Sequence, residues 1–246
     1  MLIFLVDGSF ECLLTAVFEA YYGGGKPDRI LCAGEAEENL LDTYRHVILD
    51  QAKADRVARA VRARISEEAY VTAFHASLCQ DADRGTQIYR YLRLGFALGP
   101  AVDSDLQEDC VFAIHDMDRR VVREEHRMAG FLRFRLVRPE LYYAPYCPDH
   151  DITALLAAHF AQRLADRDWI IHDTGRDTAA VYNRREWVIL QGLPPIPAVP
   201  DLQEDYPALW REYFKSIAIA ERANPRLQKN LMPVRYWKNL TEMDGK

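Results

Sequence analysis

The stretch that decides the fold reads Arg123-Glu124-Glu125-His126-Arg127-Met128-Ala129-Gly130-Phe131-Leu132-Arg133-Phe134-Arg135-Leu136-Val137. Before it, Leu106, Cys110, Ile114, Met117 and Val121 recur at three- and four-residue spacing, which predicts an amphipathic helix stopped by Gly130. From Gly130 the period becomes two. Leu132, Phe134 and Leu136 alternate with Phe131, Arg133, Arg135 and Val137, the pattern of a strand. The chain therefore turns here from packed helices to a sheet.

Working backward, helical spacing continues to about Glu37. Val57, Val61 and Ile65 mark one helix, Tyr70, Phe74 and Leu78 a second, and Ile88, Tyr91, Leu92 and Phe96 a third. At the N-terminus, the apolar run Leu2–Val6 reads as a strand, too short for a signal h-region or a membrane span. Asp7-Gly8-Ser9 is a turn, and Ser9 caps a helix to about Tyr22 with Phe10, Leu13, Leu14, Val17, Phe18 and Tyr21 on one face. Gly23-Gly24-Gly25-Lys26 ends that helix. Pro27 follows the lysine, so the second half of a phosphate loop is missing.

Working forward, Arg138-Pro139-Glu140 turns into a strand over Leu141–Tyr146. Pro148-Asp149-His150-Asp151 opens a helix with Ile152, Leu155, Leu156, His159 and Phe160 on one face. Trp169–Asp173, Ala179–Asn183 and Trp187–Leu190 are short strands. The order predicts an antiparallel sheet crossed by one helix. The expected class is α+β. One domain spans 1–190, with a helical part over about 10–128 and a sheet part over about 130–190. A proline-rich linker covers 191–207, and a C-terminal helix with a basic tail covers 208–246.

With 246 residues and 49 % hydrophobic content, the chain can bury a core. Its formal net charge of −6 argues against coating nucleic acid by bulk charge. That charge is uneven: from Arg222 to Lys246 six basic residues face two acidic ones. Five scattered cysteines without a CxxC pair exclude a disulfide framework and the usual cysteine metal sites, and fit a reducing cytoplasm. Serine- and cysteine-nucleophile signatures and a dinucleotide fingerprint are missing.

Three constellations remain. Asp149, His150, Asp151, His172 and Asp173 are the candidates for metal or acid–base chemistry if strand end and helix start converge; helix capping and core hydrogen bonding are the competing reading. Arg120, Arg123 and Arg127 at helical spacing, then Arg133 and Arg135 on one strand face beside Tyr142 and Tyr146, combine cations for phosphates with rings for bases. Against this, Asp116, Asp118, Glu124 and Glu125 offer neutralising partners. The tail, with Arg226 and Arg235-Tyr236-Trp237-Lys238, suits a phosphate or partner contact, or docks on its own domain.

Several of these segments occur in an order that resembles a known family. They are Val6-Asp7-Gly8-Ser9-Phe10-Glu11, Arg123 through Phe134, Pro148-Asp149-His150-Asp151 with His159-Phe160, Trp169–Asp173, Asn224-Pro225-Arg226-Leu227-Gln228, and Met232 through Lys238. Together they resemble the bacterial family labelled "probable DNA metabolism protein", over essentially the whole chain. The resemblance implies context rather than mechanism. Members are encoded beside a radical-SAM protein described as acting in DNA modification or repair, and in some relatives a similar domain is fused to a uracil-DNA-glycosylase-type domain. The Cys-x3-Cys-x2-Cys cluster of a radical-SAM enzyme is missing here, so such chemistry would belong to a partner. The expected function is an accessory role in DNA metabolism or repair, binding DNA (single-stranded favoured) or a radical-SAM or glycosylase-type partner. No cofactor, metal or membrane is expected. The alternatives are a metal- or acid–base-dependent hydrolase of nucleic acid or nucleotides, and an interaction scaffold.

Overall fold

A computed structural model describes residues 1–36, 39–194, 196, 210, 212, 213, 216 and 224–243. The class is α+β, and the chain divides into two compact units, Met1–Val122 and Arg123–Lys246. Among the described residues, no helix is long and apolar enough to cross a membrane.

In the first unit the apolar run becomes β1 (Leu2–Val6), the central strand of a parallel sheet. It lies between β2 (Arg29–Cys32) and β3 (Thr43–His46), with Phe4 level with Ile30 on one side and Arg45 on the other. A strand paired on both edges and covered on both faces needs an unbroken apolar sequence, and Ile3 to Val6 are all buried. α1 (Phe10–Tyr22) starts where expected: the Ser9 hydroxyl accepts from the Cys12 N–H, and the Asp7 carboxylate accepts from the Ser9 N–H and O–H. Phe10, Leu13, Leu14 and Val17 are buried, whereas Tyr21 is exposed, so the apolar face is wider than the core it meets.

α2 (Gln51–Arg64), α3 (Glu67–Leu78) and α4 (Arg84–Leu98) lie where the spacing puts them. The face of α3 differs. Ala69, Ala73 and Ala76 are buried, while Tyr70 and Phe74 are half-buried and meet the Phe10 ring edge-on, 5.4 and 5.5 Å away. Small residues let neighbouring helices approach closely, and the large rings fill the margins. α4 packs on β2 through Gly85, where an added Cβ would lie 2.6 Å from the Ile30 carbonyl oxygen. That oxygen is backbone and cannot turn away. Gly85→Ala is therefore expected to lower the stability of this unit by about 1–3 kcal/mol, read from the thermal midpoint by circular dichroism.

α5 (Asp109–Phe131) continues through Gly130. The Leu132 N–H still donates to the Met128 carbonyl, and β4 (Arg135–Arg138) begins later than the alternation predicts. Glu124 and Met128 on the preceding turns are buried, and a single glycine costs only about 1 kcal/mol in a helix. Arg133 consequently lies in the connection, not on a strand.

In the second unit β4, β5 (Leu141–Tyr146), β6 (Asp168–Asp173), β7 (Thr178–Asn183) and β8 (Trp187–Gln191) form one sheet in that order. β5 and β6 are parallel, joined by the crossing helix α6 (Thr153–Arg163); the remaining pairs are antiparallel. Asp177 and Arg184 take positive φ, 51° and 67°, in the tight turns flanking β7. One sheet face carries Val137, Tyr143, Ile170 and Ala179. On the other, Trp169 stacks on Tyr182 at 5.0 Å. α6 buries Thr153, Leu156, Ala157 and Phe160, while His159 is exposed. The proline-rich linker and the helix expected from 208 fall largely outside the described residues. The tail follows as α7 (Pro225–Leu231), capped by the Asn224 side chain, and a 3-10 turn over Val234–Asn239.

Candidate functional site

The centre of the second unit is Glu124, a carboxylate that its place in the sequence offers only as a neutralising partner for the neighbouring arginines. Glu124 is 5 % exposed. Its Oε1 accepts from the Asp149 N–H at 2.7 Å and from the Tyr236 hydroxyl, and its Oε2 accepts from the His150 N–H at 2.8 Å. The loop Pro148–Asp151 is thus held by an acid of α5, and neither aspartate caps α6: the cap position is Ile152, with no side-chain bond. Burial first, then the bond to Glu124, pushes the Tyr236 phenol well above its usual range, so it stays a donor. The Arg235 guanidinium donates to the Asp149 carboxylate and, at 3.0 Å, to the Tyr236 oxygen.

Arg176 fastens the loop from its other side. It donates to Asp173 Oδ2 at 2.9 Å and to the carbonyls of Pro148 (3.2 Å) and Asp149 (2.6 Å). Asp173 is fully buried, and its Oδ1 accepts from the Gly175 N–H at 2.9 Å. His172 alternates to the opposite face of β6, where Nδ1 shares a hydrogen bond with the Tyr143 hydroxyl at 2.8 Å. Burial lowers the His172 pKa, which favours the neutral imidazole, and Nε2 has no partner among the described residues. The structure therefore gathers Asp149, His150 and Asp173 around Glu124 and Arg176, leaves Asp151 at the surface, and sends His172 elsewhere. Among the described residues no group of three His, Cys, Asp or Glu side chains is placed to hold a metal ion.

The expected arginine–tyrosine face is not one surface. In the first unit Arg120 pairs with Asp116 at 3.1 Å and Asp81 at 3.4 Å. In the second, Arg133 makes a two-pronged bond to Glu242, at 2.6 and 3.2 Å, and lies over the Trp210 ring at 5.3 Å. Burial alone would raise the Glu242 carboxyl, but the bonds from Arg133 hold it below its usual value. Arg135 donates to the Ile196 carbonyl at 2.9 Å and sits over Tyr143, whereas Tyr142 faces the other side of the sheet beneath Arg167. The alternation of Arg133 with Arg135 thus predicted a shared face that the late start of β4 dissolves. Arg123 is exposed and Arg127 half-buried, and neither has an acidic partner among the described residues.

The tail docks through its apolar side. Tyr236, Leu240 and Met243 are buried, and the half-buried Trp237 donates its indole N–H to the Met232 carbonyl at 2.9 Å. Arg226, Lys229 and Lys238 remain exposed without acidic partners among the described residues. Sequence reasoning missed Arg176 and Glu242, and gave Glu124 to the arginines rather than to the loop and tail donors it binds. Glu124 had a readable signal: it stands in the apolar row of α5 between Val121 and Met128, where a carboxylate needs buried donors.

The model of the DUF4130 family, a domain of unknown function, matches residues 82–242, more than half of the chain, and this span includes the Glu124 centre and the Arg133–Glu242 pair. No curated protein matches the sequence.

Proposed function

The chain belongs to the DUF4130 family, and we propose that it serves as an accessory protein of DNA metabolism or repair that binds single-stranded nucleic acid. One observation carries the reading. The tail docks through Tyr236, Leu240 and Met243, next to Lys238, while Arg226 and Lys229 sit on the exposed, Asn224-capped α7 that leads into it and is tied at its end by the Trp237 bond to the Met232 carbonyl; all three cations stay in solvent without acid partners among the described residues. Cations held in place lose less freedom on meeting phosphates than those of a loose tail. The Asp149 and Asp173 carboxylates serve bonds to Arg235, Arg176 and the Gly175 N–H instead, which favours binding over hydrolysis. A radical-SAM or glycosylase-type protein would supply the chemistry. The five unpaired thiols fit a cytoplasmic setting.

The test is a fluorescence-anisotropy titration of a labelled oligo(dT) strand over a range of salt. Binding should weaken linearly in log–log form. Replacing Arg226, Lys229 and Lys238 together by Gln should flatten the slope by about 2, at about 0.7 per phosphate contact. The thermal midpoint should stay put, because all three side chains are exposed. Absence of binding even at low salt would sink the reading.

A further inference from the structure

The first unit contains a groove that no motif announced. The last turns of α1, the second half of α2 and the end of α4 enclose about 350 Å³, within the range of small-ligand pockets. Its walls carry four aromatic rings, Phe18, Tyr21, Tyr22 and Phe96, and three arginines, Arg56, Arg64 and Arg93. No carboxylate is among the described lining residues. That is unexpected for this unit, where 13 basic residues face 20 acidic ones between Met1 and Val122.

The geometry explains how two of the cations stay in place. Arg56 lies over Phe18 and Tyr22, at 5.5 and 5.3 Å, and Arg64 over Phe96 at 5.8 Å. Ring faces hold guanidinium groups without neutralising them. The one acid on this part of α1, Glu19, is engaged by Lys53 and Arg45, both at 2.7 Å. Arg56, Arg64 and Arg93 are exposed and have no acidic partner among the described residues. Tyr21 and Tyr22 keep 48 and 67 % of their surface in solvent. Exposed rings beside unpaired cations match a ligand that is both flat and anionic.

We propose that this groove receives an unstacked base of single-stranded nucleic acid, with Tyr21 and Tyr22 stacking on the base and the three arginines meeting the flanking phosphates. The inference rests on the reading that the chain binds nucleic acid, and adds where a base is held. The charge of the unit selects the occupant. A net −7 surface repels a broad polyanion such as a duplex or an acidic membrane, whereas a single strand is narrow enough to meet only the acid-free groove. A duplex also keeps its base faces stacked.

The experiment uses the full chain and the same labelled oligo(dT), with two groove variants. Tyr21→Ala with Tyr22→Ala should weaken binding about tenfold at every salt concentration with an unchanged slope, and Tyr21→Phe with Tyr22→Phe should restore it. Arg56→Gln, Arg64→Gln and Arg93→Gln together should flatten the slope by about 2. Duplex DNA and phosphatidylserine vesicles should compete at least tenfold less well than unlabelled strand. Wild-type affinity in both groove variants, alongside weakened binding by the tail variant, overturns the groove and leaves the functional reading standing. Equal competition by duplex or vesicles overturns the choice of ligand. Failure of the wild-type chain to bind overturns both.

Discussion

Glu124→Ala is expected to lower the stability of the second unit by about 3–5 kcal/mol, at about 1–3 kcal/mol for each buried donor left without an acceptor. Three donors depend on this carboxylate: the N–H groups of Asp149 and His150 and the Tyr236 hydroxyl. The His150 N–H and the Tyr236 hydroxyl cannot turn to water cheaply, because Glu124, His150 and Tyr236 are all buried, whereas Asp149 is half-buried. Glu124→Gln should cost less, about 2 kcal/mol, since one oxygen still accepts while its amide NH₂ meets a donor. Arg235→Ala should cost at most about 1 kcal/mol, because that ion pair is exposed. Urea unfolding followed by tryptophan fluorescence reads this unit alone, as Trp169, Trp187, Trp210 and Trp237 all lie in it. Limited proteolysis should also release the segment after Val234 in Glu124→Ala before the rest of the unit is cut. A loss below about 1 kcal/mol would mean that the loop and the tail hold without their acceptor.

The same carboxylate marks where sequence reading stops. Elements were legible where the pattern is local. Val57 and Val61 place α2, the turn at Arg138-Pro139-Glu140 places the start of β5, and turn residues delimit β7. β2 and β3 were not legible. β3 reads Thr-Tyr-Arg-His, with every residue exposed or half-buried, so it carries no apolar alternation. Its partner in the sheet is β1, some forty residues earlier, and parallel pairing leaves no hairpin signal. The site residues show the same limit. Asp149, His150, Arg235 and Tyr236 were all singled out, and they do meet. Their common partner comes from α5, so local spacing reveals the chemistry of the side chains but not what neutralises them. Tyr21 erred in the opposite sense, since helical spacing assigned it to a buried face that the core does not reach.

The arginine alternation supplies the second large effect. Arg133→Met should destabilise the second unit by about 3–5 kcal/mol at neutral pH, the cost of leaving a buried ion without its partner. Only 2 % of the Glu242 side chain reaches solvent, and without Arg133 its remaining side-chain donor among the described residues is the Trp210 indole N–H at 3.0 Å. The pH dependence separates this cause from lost packing. In the wild type the folded Glu242 pKa lies below its ordinary 4.5. Its contribution is therefore present above that ordinary value and is lost as pH falls through the folded one. In Arg133→Met burial dominates and raises the folded pKa. The protonated acid then suits the core, and the variant loses stability as pH rises through that raised value. The gap between wild type and variant should therefore be widest near pH 7 and shrink by about 2 kcal/mol or more towards pH 4. Adding Glu242→Leu to Arg133→Met should recover most of the loss at neutral pH, because an apolar pair of similar volume avoids the buried charge. An equal gap at both pH values, or no recovery in the double variant, would show that Arg133 stabilises through its bonds to the Gly130 and Leu132 carbonyls rather than through Glu242.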